Sequence, residues 1–164
     1  MYNDAWKTMD CDYFIGGKGW KFMILLAGAL LGFVSVAFGA FAEHGLRENI
    51  TSEHFRFLMT AVRYNQVHAV AIIGIGFFLH SQGALIKGYL LKWVGALFII
   101  GTALFSFSIY LAVLFDLPKL LNITPVGGIT IMVSWLCLAG YAGLISMKQV
   151  RSWFFKITIG SLLR

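Results

Sequence analysis

An all-α integral membrane bundle of four antiparallel transmembrane helices is the fold this sequence predicts, and three observations predict it. Of 164 residues, 59% are hydrophobic and only 12% charged, with a mean hydropathy of +0.81. A soluble domain carries about a quarter of its residues charged. Four runs (22–42, 60–79, 93–115 and 126–147) are predominantly apolar. Each has about the 20 residues that span a ~30 Å hydrocarbon core at 1.5 Å per residue. Finally, the cations behind the net charge of +6 flank these runs instead of forming a stripe. That placement orients helices in a bilayer, so the lipid bilayer is the expected partner and nucleic acid is not.

Residues 1–21 form a mixed polar segment, with Asp4, Asp10, Asp12, Lys7, Lys18 and Lys21. The first run, Phe22 to Ala42, ends in Ala40-Phe41-Ala42 and so imitates a signal peptide with its cleavage site. Its uncharged stretch exceeds the usual 7–15-residue core of such peptides, and it reads as the first membrane helix. Gly28, Gly32, Ser35 and Gly39 recur along one face of it. A small-residue stripe lets another backbone approach closely, from the same chain or from a second subunit. A polar connection follows, in which Thr51 or Ser52 can cap the second helix and Glu53 suits its positive end.

The stretch 60–79, TAVRYNQVHAVAIIGIGFFL, is the anomaly around which the chain is arranged. It carries Arg63, Tyr64, Asn65, Gln66 and His68 ahead of a purely apolar run, and ionisable groups within a span need a partner or a polar pocket. With the bilayer edge near Thr60, Arg63 is about 5 Å deep and His68 about 12 Å. Thr60, Tyr64 and His68 share one helix face. Trp93 begins the third run at an interfacial position, and Asp116 to Asn122 makes a turn. Thr124-Pro125 then predicts an N-cap hydroxyl followed by proline at the first helical position. The tail, 148–164, mixes Lys148, Arg151, Lys156 and Arg164 with Trp153 and Phe154, which suits either a segment lying on the membrane surface or a disordered end.

Charge sets the orientation. Lys7, Lys18 and Lys21, then Lys87 and Lys92, then the four cations of the tail lie on one side, nine of the 13 in the chain. Both termini are therefore expected in the cytoplasm. The unusual polar residues then gather at the outer ends of the helices: Glu43 and His44; Arg63, Tyr64, Asn65 and His68; Ser106, Ser108 and Tyr110; and Thr124 with Gly127 and Gly128. All of these but Glu43 and Asn65, ten residues, form a candidate binding cluster. Arg63 is expected near Glu43 or the start of the fourth helix, with Tyr64 and His68 facing the interior. The plainer reading is that the same groups bond to one another and fix helix register.

Chemistry is harder to find. No nucleophile–base spacing, phosphate loop or H-E-x-x-H motif occurs in the sequence. Cys11 and Cys137 are spaced neither as a disulfide framework nor as metal ligands, and no cofactor is implied. His44 and His68 make the sharpest metal idea, a haem, but stand at different depths.

The strings GAFAEHGL (39–46), TAVRYNQVHA (60–69), LFSFSIYL (104–111) and ITPVGG (123–128), with Trp135, together resemble the YgdD-like family. These are small four-helix membrane proteins, found in bacteria with animal relatives and classed as a domain of unknown function. The likeness runs from about Met23 to Met147. It implies a multi-pass protein of the bacterial inner membrane and makes the candidate residues, with Thr60 and Pro125, signature positions. The sequence departs from the pattern at Ala42 and Glu43, usually Gly-Ala, and at Phe107 and Ser134, usually Gly. An Arg63–Glu43 pair would therefore be particular to this chain. The family implies no activity. The reading that follows is a non-enzymatic accessory or assembly component of a membrane complex. Its rival is a small transporter or a protein binding lipid or quinone headgroups in the outer-leaflet cluster.

Overall fold

The computed structural model describes residues 19–81 and 88–162, with side chains as far as Met147 and at Val150. Expectations for residues 1–18, including Cys11, for 82–87, and for the basic and aromatic side chains of the tail lie outside the described residues. Four helices follow one another: α1 (Gly19–Phe41), α2 (Ser52–Ser81), α3 (Gly88–Leu114) and α4 (Thr124–Leu162). All four contain a stretch long and apolar enough to cross a membrane. The chain is an all-α, four-helix membrane protein.

Glycines set how the helices meet. A Cβ on Gly28 would lie 2.8 Å from Ile73 Cγ1, one on Gly32 3.7 Å from Ala69, and one on Gly39 3.2 Å from Val62. As α1 residue numbers rise, α2 numbers fall, so the pair is antiparallel and the whole stripe faces α2. Of the two readings of Gly28, Gly32 and Gly39, this is the one within the chain: the stripe packs against α2. Lipid tails are as apolar as the helices, so close backbone approach is what holds such a pair together. On the other side, Gly101 and Gly127 do the same for α3 and α4. The backbone of α4 comes close to α3 and to the turn before it, and to neither α1 nor α2 among the described residues.

The helix ends are built locally. α1 runs into a π-helical turn, Ala42–Leu46, in which Glu43 pairs with Arg47. Thr51 Oγ1 accepts the His54 N–H at 3.2 Å, which makes it the N-cap of α2. Asp116 ends α3 with φ of 51°, and the Leu117 N–H donates to Ala112 O at 2.9 Å. This is a Schellman closure with aspartate where glycine is usual, a substitution the short polar side chain tolerates.

The start of α4 departs from expectation. A 3-10 helix, Pro118–Ile123, feeds straight into it, and the Thr124 N–H donates to Leu121 O. Thr124 is thus already helical and does not act as an N-cap. Its hydroxyl is released for a bond to another helix.

Orientation can be checked directly. Single cysteines at Asn49 and Lys119, in a background lacking Cys11 and Cys137, are expected to react with an impermeant maleimide from outside the cell. Labelling from the cytoplasm alone would invert the topology.

Candidate functional site

The contacts between helices fix a common register. Gly32 packs on Ala69, the His68 ring lies 5.9 Å from that of Phe98, and Phe98 lies 5.1 Å from Trp135. This layer falls close to the middle of the apolar runs of α1, α2 and α4. Polar groups extend from it toward the α1–α2 and α3–α4 turns, while the core on its other side is apolar: Ile24, Ile75, Leu79, Leu91 and Val94.

His68 is the centre of the layer. Trp135 Nε1 donates to its Nε2 at 3.2 Å, and its Nδ1 lies 2.6 Å from Tyr64 O. An indole N–H can only donate and a carbonyl can only accept. His68 is therefore the neutral imidazole with its proton on Nδ1, and both nitrogens are engaged. His44, by contrast, is exposed in the π-helical turn. The two histidines do not form a ligand set for a haem.

Two further bonds join helices farther out. Ser106 Oγ donates to Ala61 O at 3.2 Å, tying α3 to α2. Ser108 donates to Phe105 O at 2.9 Å and lies 2.7 Å from Thr124 Oγ1. A serine has one proton to give, so Thr124 is the donor in the second contact and ties α4 to α3. Gly127 makes this approach possible: a Cβ there would sit 2.4 Å from Phe105 N. At Gly128 the same atom would make ordinary contact with the Phe105 ring, at 3.8 Å. Tyr110 is fully buried, its ring stacked on Phe38 at 4.0 Å.

The remaining candidates lie at the edge. Tyr64 is 44% exposed, stacked on Phe105 at 4.6 Å, and does not face the interior as expected. The buried face of α2 runs through Ala61, Asn65, His68 and Ile72, which turns Tyr64 toward the flank. Arg63 is exposed and makes no hydrogen bond or ion pair among the described residues. The expected Arg63–Glu43 pair does not form, because Glu43 is held by Arg47 one helical turn away. Of the ten candidates, the structure gathers His68, Ser106, Ser108, Tyr110, Thr124 and Gly127 inside and leaves His44, Arg63, Tyr64 and Gly128 at the periphery.

Three residues beyond the ten candidates belong with them: Thr102, Trp135 and Asn65, the last already among the polar residues expected at the outer helix ends. Asn65 is the most legible of them, since it falls at the spacing i, i+3, i+7 with His68 and Ile72. Trp135→Phe would keep a ring against Phe98 and remove the N–H, leaving Nε2 of His68 unpaired at mid-bundle. Its expected cost is about 1–2 kcal/mol. In a His68→Leu background it should cost clearly less, and equal losses in both would show that the bond contributes nothing.

A bundle of this kind, four short-looped helices clamped by small residues and a few interhelical hydrogen bonds, defines a class: small multi-pass membrane proteins. Residues 38–128 match the family described as Protein of unknown function (DUF423). The chain is 30% identical over 129 residues to the UPF0382 inner membrane protein YgdD of Escherichia coli K12, covering 79% of this chain and 93% of that protein. It is 31% identical over 116 residues to a UPF0382 membrane protein of Staphylococcus haemolyticus, covering 71% of this chain and 91% of the relative. A UPF0382 membrane protein of Staphylococcus aureus shares 30% over the same length. No solved structure matches. The chain belongs to the DUF423 family of membrane proteins of unknown function.

Proposed function

We propose that the protein is a non-enzymatic accessory component of a complex in the bacterial inner membrane, acting by lateral contact within the bilayer. The observation that carries this reading is Arg63. By register it sits about 8 Å from the His68 layer, inside a hydrocarbon half-thickness of about 15 Å. A charge there costs up to about 2.5–3.5 kcal/mol on the mild insertion scale unless it snorkels to an anion. Arg63 has no such anion among the described residues, which supports a partner outside the chain. Two other features support the reading. Ser106, Ser108, Thr124 and His68 spend hydrogen bonds on contacts between helices. The inner-membrane location follows the printed name of the Escherichia coli relative.

A second reading, capture of an anionic lipid headgroup, is favoured by half-exposed Tyr64 next to Arg63 on the same flank. Purification from native membranes in mild detergent, followed by native mass spectrometry, separates the two. The wild type is expected to bring down a stoichiometric protein partner, with recovery reduced about tenfold, or ~1.4 kcal/mol, by Arg63→Ala. Arg56→Ala, on the extramembrane start of α2, should change nothing. A lone chain whose retained phospholipid is lost in Arg63→Ala would select the headgroup reading. Retention of everything by the variant would sink both.

A further inference from the structure

Just outside the His68 layer, between α1, α2 and α3, four buried polar atoms have no hydrogen-bond partner: Asn65 Nδ2 and Oδ1, Thr102 Oγ1 and Tyr110 Oη. Asn65 and Thr102 are 0% exposed and Tyr110 1%. They share one place. Ser106 meets Ala61 and, on the other side, His68 meets Phe98, so one turn along each helix Thr102 and Asn65 stand at the same level. The Tyr110 hydroxyl lies close enough to the Asn65 carboxamide to interact with it, but not in the geometry of a well-formed hydrogen bond. Ser35, fully buried on α1, supplies the third wall by register with Asn65.

Thr102 shows that this is more than crowding. Ser35, Thr60, Thr130 and Ser134 all turn their hydroxyls back onto a carbonyl of their own helix. That option satisfies a hydroxyl inside an apolar helix at almost no cost. Thr102 does not take it. Its hydroxyl is kept for something outside its own helix.

We propose that Asn65, Thr102 and Tyr110 form an internal water-binding site within the membrane-spanning part of the bundle. The chemistry of the donor set selects the ligand. Asn65 presents two N–H donors and a carbonyl acceptor, and the two hydroxyls can do either. A cation would satisfy the oxygens and be repelled by the carboxamide hydrogens. An anion would satisfy the donors and strand Asn65 Oδ1. Water both donates and accepts, and a buried water typically makes about three hydrogen bonds to groups of this kind. Its role is to join α2 to α3 at a level where neither backbone offers a free group.

Radiolytic hydroxyl-radical footprinting of the full chain in lipid nanodiscs tests this, because X-rays generate radicals from bound water in place. Tyr110 is expected to be oxidised at a rate comparable with exposed Tyr89, and at least about tenfold faster than Phe98, which is equally buried and packs against the His68 and Trp135 rings. In Asn65→Leu and in Thr102→Val, Tyr110 labelling should fall toward the Phe98 level. Should one variant not fold, the other gives the same reading. Wild-type Tyr110 as protected as Phe98 would overturn the proposal, and so would labelling unchanged in the folded variants.

Discussion

Alanine at Gly127 is expected to cost about 3 kcal/mol or more, the top of the range for overpacking. The added Cβ would fall 2.4 Å from Phe105 N, 2.8 Å from Phe105 Cα and 2.9 Å from Gly101 O. All three are backbone atoms of α3, so no side chain can rotate away. α4 would have to move outward, which also breaks the Ser108–Thr124 contact one turn along. Gly140, on the same helix, has nothing within 4 Å of the same construction. There alanine removes only the backbone-entropy penalty of glycine and should gain a few tenths to about 1 kcal/mol. Reversible unfolding in mixed micelles would read the two with opposite signs. A neutral Gly127→Ala would mean that α3 and α4 are not in this contact.

Phe98→Ala should have the next largest effect. The ring is fully buried and touches both His68 and Trp135, so it is the floor on which the α2–α4 contact rests. In a soluble core such a truncation costs about 3–5 kcal/mol, part of it lost hydrophobic transfer. Inside a bilayer much of the transfer part vanishes, because the unfolded reference is also in hydrocarbon. What remains is the cavity and its lost dispersion contacts, about 2–3 kcal/mol. Phe98→Leu should recover more than half of it. A loss below that of Trp135→Phe would show that the layer is not packed around Phe98.

The spans, the Thr51 cap and the inward His68 were legible because each depends on a local rule: length in a bilayer, hydroxyl before a first turn, polar group in an apolar run. The buried face of α2 was harder to read. In a water-soluble helix the core side alone is apolar, whereas here the lipid side, Val67, Val70 and Phe77, is apolar too. Periodicity therefore does not separate the two, and it assigns Tyr64 to the interior face that Asn65 occupies. Thr124 carried a capping signature, but the 3-10 turn ahead of it met the helix start and freed the hydroxyl. Trp135 lies 67 positions from His68. Nothing local in either segment announces that pairing. Glu43 went to Arg47 for the simplest reason: a neighbour at i+4 is found before one on another helix.

The distribution of close contacts also carries a consequence for how the protein is made. The tightest backbone approaches lie within sequential hairpins, Gly28 and Gly76 in α1–α2, Gly101 and Gly127 in α3–α4. Those contacts need only two consecutive segments, so each hairpin can complete its own packing as soon as its second helix has left the translocon. The groups that demand a distant partner, Ser106 with Ala61 and His68 with Trp135, lie across the seam between the hairpins. They are the last to be satisfied. Until the second hairpin docks, Asn65 and His68 are polar groups facing hydrocarbon on a half-inserted chain, and that exposed state is the one a membrane quality-control protease would meet.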